Sequence, residues 1–264
     1  MQTTRKPLDG AGEFALSTDN LTRDFGVRTV LRGVNWSVPR GAAVGLLGRN
    51  GEGKTTLLHV ALGLIRPSTG RCTTLGEDSK QLDDDRLERI GFVDQRAQLL
   101  DWMSVEQHVD YVAMMQPAFD RDLARRLMRE LELDVGQRAR VGGLSEGLRQ
   151  RLAFVLAVSH RPDLLVLDEP VSAQDPISRR QILELALERV VDDGATVIIS
   201  SHVLRDVESV VDRVAMLDGG RIVCHEDLDD LKERYGASDG GALDLEGLFP
   251  RVLADAKAAG GFLR

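Results

Sequence analysis

Short apolar runs bounded by turn residues open the chain. Phe14–Ser17, Val34–Val38 and Ala43–Leu47 read as strands, with Pro39 and Gly41 among the turn residues. Thr55–Ile65 has the length and Leu-rich pattern of a buried helix, stopped by Pro67 and Gly70. Ile90–Val93 predicts a short strand. From about Arg96 to Pro162 the period turns helical, over Ser104–Met115, Asp122–Leu131 and Leu148–Ser159, without a convincing strand. Alternation then returns: strand Leu164–Leu167, helix Ser178–Val191, strand Thr196–Ser200, helix Val203–Val211, strands Val214–Leu217 and Arg221–Val223. This order predicts an α/β layer with a mostly parallel sheet, into which the central stretch is inserted as helices. A helix at Leu228–Tyr235, a Gly-rich break at Gly236–Gly241 and a short Ala-rich end follow, and Met1–Gly12 reads as a flexible tail.

Composition narrows the classes. The 264 residues suggest one large domain or two small ones, with a core that needs no disulfide or metal. Acidic residues outnumber Lys plus Arg by 42 to 34, for a net charge of −8, so no nucleic-acid partner is expected. The longest runs without a charge, Thr55–Ile65 and Gly194–Leu204, fall far short of the roughly 20 apolar residues of a spanning helix. The polar start has no apolar segment of the kind a signal peptide carries. Cys72 and Cys224 are isolated and read as reduced thiols, which points to the cytoplasm.

Chemistry enters at Gly48–Thr55, which fits G-x-x-x-x-G-K-[ST] between an apolar strand and a helix. Gly48, Gly51 and Gly53 let the backbone curl so that N–H groups, with Asn50 among them, point at phosphate oxygens, and the helix N-terminus adds its dipole. Lys54 reaches the β- and γ-phosphates, and the hydroxyl of Thr55, followed by Thr56, offers a ligand to Mg²⁺. The alternative is a Gly-rich turn before a helix. A second cluster, Leu164–Pro170, is an apolar strand that ends in Asp168 and Glu169. Strand pleating turns adjacent acids to opposite sides, so Asp168 can serve Mg²⁺ while Glu169 orients the attacking water. Taken alone, the pair is also what a solvated strand end looks like.

Further strings arrive in order. Leu144–Leu152 resembles the signature motif of ATP-binding cassette (ABC) ATPases. Gln95 stands where that family has its Q-loop glutamine, Ser172–Pro176 where it has its D-loop, His202 where it has its switch histidine, and Phe25 where it has the aromatic that stacks on adenine. The resemblance covers roughly Phe14–Val223. It implies a P-loop (RecA-like) core with a mostly parallel sheet, an N-terminal antiparallel β subdomain and an inserted α-helical subdomain. The implied boundaries are a tail at 1–13, the ABC ATPase domain at 14–225 with its insertion at about 96–162, and a short extension at 226–264. It also implies ATP and Mg²⁺ as cofactors, with two ATP held between head-to-tail cassettes. Ser145 and Gly147 then face the partner's γ-phosphate, Gln95 joins Thr55 and Asp168 at the metal, and Glu169, His202 and Lys54 act in hydrolysis. Ser145 is equally a helix N-cap, and a lone His202 or Phe25 equally suits a core. His59, His108, His160 and His225 lack metal-ligand spacing and read as structural.

The chain departs from the family at Glu146 and Leu148, where the signature usually has Gly and Gln, at Gln174, where the D-loop commonly has Leu, and at Glu52 in the phosphate loop. Glu52 and Glu146 would add negative charge near the nucleotide and weaken dimer closure at low ionic strength, with Arg49 or Arg149 as offsets. The resemblance further implies a separate membrane permease docked near Leu99–Val105, a segment that reads equally as helix-packing core. It also implies a second ATPase chain, and a cytoplasmic position on the inner face of the membrane through the permease. Asp101–Val109, Met114–Asp120 and Ser201–Asp206 look most like bacterial ABC-2 or antibiotic-type export ATPases. A soluble ABC ATPase of assembly or repair, or a nucleotide-gated interaction module, stays open.

Overall fold

The computed structural model describes residues 12–133, 136, 139–170, 183, 184, 187, 188, 191, 193–236 and 244–258. The D-loop stretch Ser172–Pro176 and most of the helix expected at Ser178–Val191 lie outside the described residues. The chain divides into two compact units, one within Leu8–Leu82 and Ile198–Arg264, the other within Asp83–Val197. The division falls inside a fully buried strand, β8 (Thr196–Ser201).

In the first unit, β1 (Phe14–Phe25) and β2 (Arg28–Pro39) form a long antiparallel hairpin. Its last pair, Phe25 with Arg28, is closed by Gly26 at φ 59°, a left-handed conformation that costs glycine little. β4 (Thr69–Thr74) and β5 (Glu77–Asp78) extend it into a sheet of order β2-β1-β4-β5. β3 (Ala43–Leu47) is buried at every position and pairs in parallel with β9 (Arg213–Asp218), to which β10 (Arg221–Asp227) is antiparallel. An all-apolar run such as Ala43–Leu47 is what a strand covered on both faces requires. α1 (Lys54–Ala61) follows β3, and α6 (Leu204–Glu208), α7 (Leu228–Gly236) and α8 (Leu245–Ala258) complete the unit.

Beyond Gly241 the sequence pattern assigns no element to the Ala-rich end. Leu245–Ala258 is a helix with Leu245 and Leu248 fully buried. Glu208 of α6 holds it: its carboxylate accepts from Leu245 N at 3.1 Å and pairs with Lys232 of α7 at 2.6 Å. β4 is a second departure, since a sequence of Thr, Gly and Arg carries no apolar alternation. It exists because β1 offers it a ladder from Leu16–Thr74 to Thr22–Thr69.

In the second unit, β6 (Ile90–Val93) pairs in parallel with β7 (Leu164–Asp168), from Ile90–Leu164 to Val93–Leu167. Around them lie α2 (Asp84–Leu87), α3 (Val105–Met115), α4 (Arg121–Glu130) and α5 (Glu146–Val158). The expected helical stretch thus forms within 96–162. α3 starts in a capping box, with Gln107 N donating to Ser104 Oγ at 3.1 Å and Ser104 N to Gln107 Oε1 at 2.8 Å. Asp120 caps α4 by accepting from Leu123 N at 2.8 Å, and that bond, aided by Arg161, holds its carboxyl below the usual range. Val105, Leu133, Val141, Leu152 and Leu156 make the helical core, with Leu99 and Val112 packed on it. Among the described residues, no helix is long and apolar enough to cross a membrane.

Candidate functional site

β3 delivers the chain into the phosphate-loop motif with no room to spare. A Cβ at Gly48 would sit 2.6 Å from the carbonyl oxygen of Leu217 on β9. Gly51 and Gly53 lie at φ 83° and 109°, where side-chain-bearing residues are strained. Gly53 is the N-cap of α1, which has no side-chain cap and no acid in its first turn. A helix start of this kind keeps N–H groups and a positive dipole end for an anion. Lys54 is buried, and its Nζ donates to Gly48 O at 2.8 Å and Arg49 O at 3.4 Å, folding the side chain back across the loop. Asn50 and Gly51 are exposed at the rim, while Thr55 and Thr56 are half-buried in the first turn.

Two more expected residues belong to this unit. Phe25 ends β1 with 45% of its surface exposed, a ring presented rather than packed into core. His202 is exposed directly after β8, where Ser201 Oγ accepts from Val203 N at 2.9 Å and turns the chain into α6. Glu52, the departure in the phosphate loop, keeps its charge and also ties the loop to the protein's own backbone. Its Oε2 accepts from Gly219 N at 2.6 Å in the β9–β10 turn.

The second unit carries the remaining candidates. Gln95 is exposed in the turn after β6. Asp168 ends β7 fully buried, and Glu169 follows at φ 46°, a left-handed conformation that costs a non-glycine residue about 1–2 kcal/mol. Strain of this kind persists where the surroundings enforce it. Ser145 caps α5, its Oγ accepting from Leu148 N at 3.4 Å, so the N-cap reading holds, and Gly147 lies in the first turn beside Glu146.

Two residues bind these segments together: Gln150, to which sequence reading assigns no role, and Arg149, which it names only as a charge offset. Gln150, buried in α5, donates its amide to Gln95 O at 2.5 Å and Asp94 O at 3.3 Å. Arg149 pairs with Asp101 at 2.5 Å. Their only sequence signal is position, one and a half turns into the signature helix. Beside them a largely apolar groove of about 250 Å³ is lined by Phe92, Ala97, Leu99, Val112, Ala153 and Leu156, among others. Trp102, Met114 and Met115 of the same unit are exposed. Leu99 packs on the helical core, as the packing reading of its segment expects, and also lines the groove. Cys72 and Cys224 are free and buried, and burial pushes both thiols up to about 12, leaving them unreactive at neutral pH.

Comparison with known proteins places this geometry. The profile of the ABC transporter family matches residues 31–172. The chain is 29% identical over 234 residues to the bacitracin transport ATP-binding protein BcrA of Enterococcus faecalis, covering 86% of this chain and 76% of that protein. It is 33% identical over 250 residues to the aliphatic sulfonates import ATP-binding protein SsuB 1 of Burkholderia lata, covering 95% and 76%. Among solved structures, a dimeric ATP-binding cassette in a post-hydrolysis state with ADP and Pi superposes with a TM-score of 0.72. That match has 25% identity and covers 81% of this chain and 98% of the other.

Proposed function

The chain belongs to the ABC transporter family as an ATP-binding, ATP-hydrolysing subunit, and on that premise we propose which residues do the work and what the work drives. The observation that carries the reading is the Gly48–Thr55 loop. Its left-handed glycines open onto an uncapped helix start, and Lys54 is already folded over the loop carbonyls. That arrangement suits a triphosphate: backbone N–H groups take the phosphate oxygens and Lys54 turns from the carbonyls to the β- and γ-phosphates. Phe25 stacks on the adenine.

Thr55, Gln95 and Asp168 offer the hydroxyl, amide and carboxylate oxygens that Mg²⁺ takes. When bound, the ion neutralises charge developing on the phosphates. Glu169 orients and polarises the water that attacks the γ-phosphorus, while His202 contacts the γ-phosphate and helps to hold that water. Ser145 and Gly147, at the start of α5, bind the γ-phosphate held by a second cassette.

The power stroke serves a separate membrane permease, which keeps the subunit peripheral on the cytoplasmic face. The groove behind Gln95 and the exposed Trp102 support that docking. Export is favoured by the resemblance of 101–109, 114–120 and 201–206 to antibiotic-type export ATPases. ATP-driven uptake by inside-out vesicles that carry the chain and its permease tests the direction, and uptake only by right-side-out vesicles refutes export. The site itself is tested by Glu169→Gln. With Mg-ATP the variant accumulates as a dimer by light scattering and releases no phosphate. A variant that turns over at the wild-type rate removes Glu169 from its role.

A further inference from the structure

The hairpin that presents Phe25 also lays a cation across its ring. Arg23 and Phe25 stand two residues apart on β1, so strand pleating directs both side chains to one side. The guanidinium carbon of Arg23 lies 4.4 Å from the centroid of the Phe25 ring. The guanidinium is itself anchored, with Nη1 donating to Arg66 O at 2.9 Å. The surrounding backbone is tied to the same segment, since Asp24 N donates to Ser68 Oγ at 2.9 Å and Ser68 N to Thr22 O at 2.8 Å. These ties matter because the β1–β2 ladder slips between Arg23 and Asp24 and does not fix the tip by register alone.

We propose that Arg23 is a positioning residue for purine recognition: it backs one face of Phe25 and leaves the other to stack on the base, giving a guanidinium–ring–base sandwich. The inference rests on Phe25 being the adenine platform. A phenylalanine ring has no hydrogen-bonding atom to orient it, and this one is 45% exposed. A fixed cation over one face restricts the ring before ligand arrives, so less freedom is lost on binding. It also draws π density from the ring, making the open face a better partner for an electron-rich purine. The 66–68 segment thereby takes part in base binding without touching the base.

The test uses steady-state ATPase kinetics of the full chain, with competition by inorganic triphosphate, which has no base. Arg23→Met keeps the length and loses the cation. It is expected to raise KM for ATP about two- to five-fold, the range of an exposed cation–π contact, at unchanged kcat and unchanged affinity for triphosphate. Arg23→Lys recovers part of the loss. In a Phe25→Ala background, Arg23→Met adds nothing. A wild-type KM in Arg23→Met, an equal penalty on triphosphate, or an undiminished penalty in the Phe25→Ala background overturns the proposal. If Phe25→Ala itself leaves KM unchanged, the platform reading falls, and the sandwich with it.

Discussion

The side-chain amide of Gln150 donates to the backbone carbonyl of Gln95 at 2.5 Å, so the signature helix grips the turn that carries the expected metal ligand. Gln150 is buried, and it reaches Asp94 O from the same amide. The helix and the turn are therefore tied to one another, and both adjoin the groove proposed for the permease. Replacing Gln150 by Leu removes the donor and leaves a partly buried carbonyl to find another. The expected loss is about 1–3 kcal/mol of unfolding free energy. Amide exchange around Gln95 should rise in the same variant. Urea titration reads the first and exchange the second, and unchanged exchange at 94–96 would separate the helix from the turn.

Glu52 gives a second prediction, which separates its charge from its hydrogen bond. Glu52→Gln keeps an oxygen acceptor for Gly219 N and removes the charge, whereas Glu52→Ala removes both. A tethering role makes the Ala variant weaker in ATP affinity than the Gln variant, by about the two- to tenfold of one hydrogen bond. A purely electrostatic role makes both variants bind ATP more tightly at low salt, and a salt series on the two distinguishes these outcomes.

Acid sensitivity should trace in part to His225. Burial pushes this imidazole down to about 4 and Arg213 lowers it further, against Glu226, while the ring meets Trp36 edge-on at 6.2 Å. Between the usual 6.5 and about 4, the unfolded chain takes a proton that the folded chain refuses. Stability is therefore full above 6.5 and falls as pH drops towards 4. The slope stays below about 1.4 kcal/mol per pH unit, because the site is partly exposed and screened. His108 acts in the same direction, lowered by burial, with Nε2 accepting from Leu100 N at 2.9 Å. His225→Phe keeps the ring contact and should flatten the pH dependence of urea midpoints between 7 and 5.

Legibility in the sequence followed burial. Ala43–Leu47, Ile90–Val93 and Leu164–Leu167 are apolar because neighbours cover them, and each strand forms within a residue of its expected range. The second half of β1 is polar, and β4 is Thr-rich. Their order comes from pairing partners distant in the chain, which no local window reports. The last helix runs through Pro250, a residue that costs a helix interior a hydrogen bond, so local propensity argues against it and its apolar contacts at Leu245 and Leu248 decide. The phosphate loop was legible because its chemistry is local. Gln150, Glu52 and Arg23 were not, since each acts through a backbone group or ring whose position only the fold supplies.

Glu169 allows backbone strain and chemistry to be separated at one position. It holds φ 46° directly before Pro170 and after the fully buried Asp168, so the left-handed turn sets where its carboxylate leaves the strand. Both Glu169→Ala and Glu169→Gly lose the carboxylate, and both should lose at least about 100-fold in turnover if it activates water. They differ only in backbone cost. Glycine accepts the left-handed conformation and alanine does not, so the Gly variant should be the more stable by about 1 kcal/mol, less a few tenths for the freedom glycine adds to the unfolded chain. Equal stabilities would show that the turn relaxes once the side chain is gone, meaning that interactions of the glutamate, and not the scaffold, hold the conformation. Retained turnover in either variant would move the water-activating role elsewhere, whatever the stabilities.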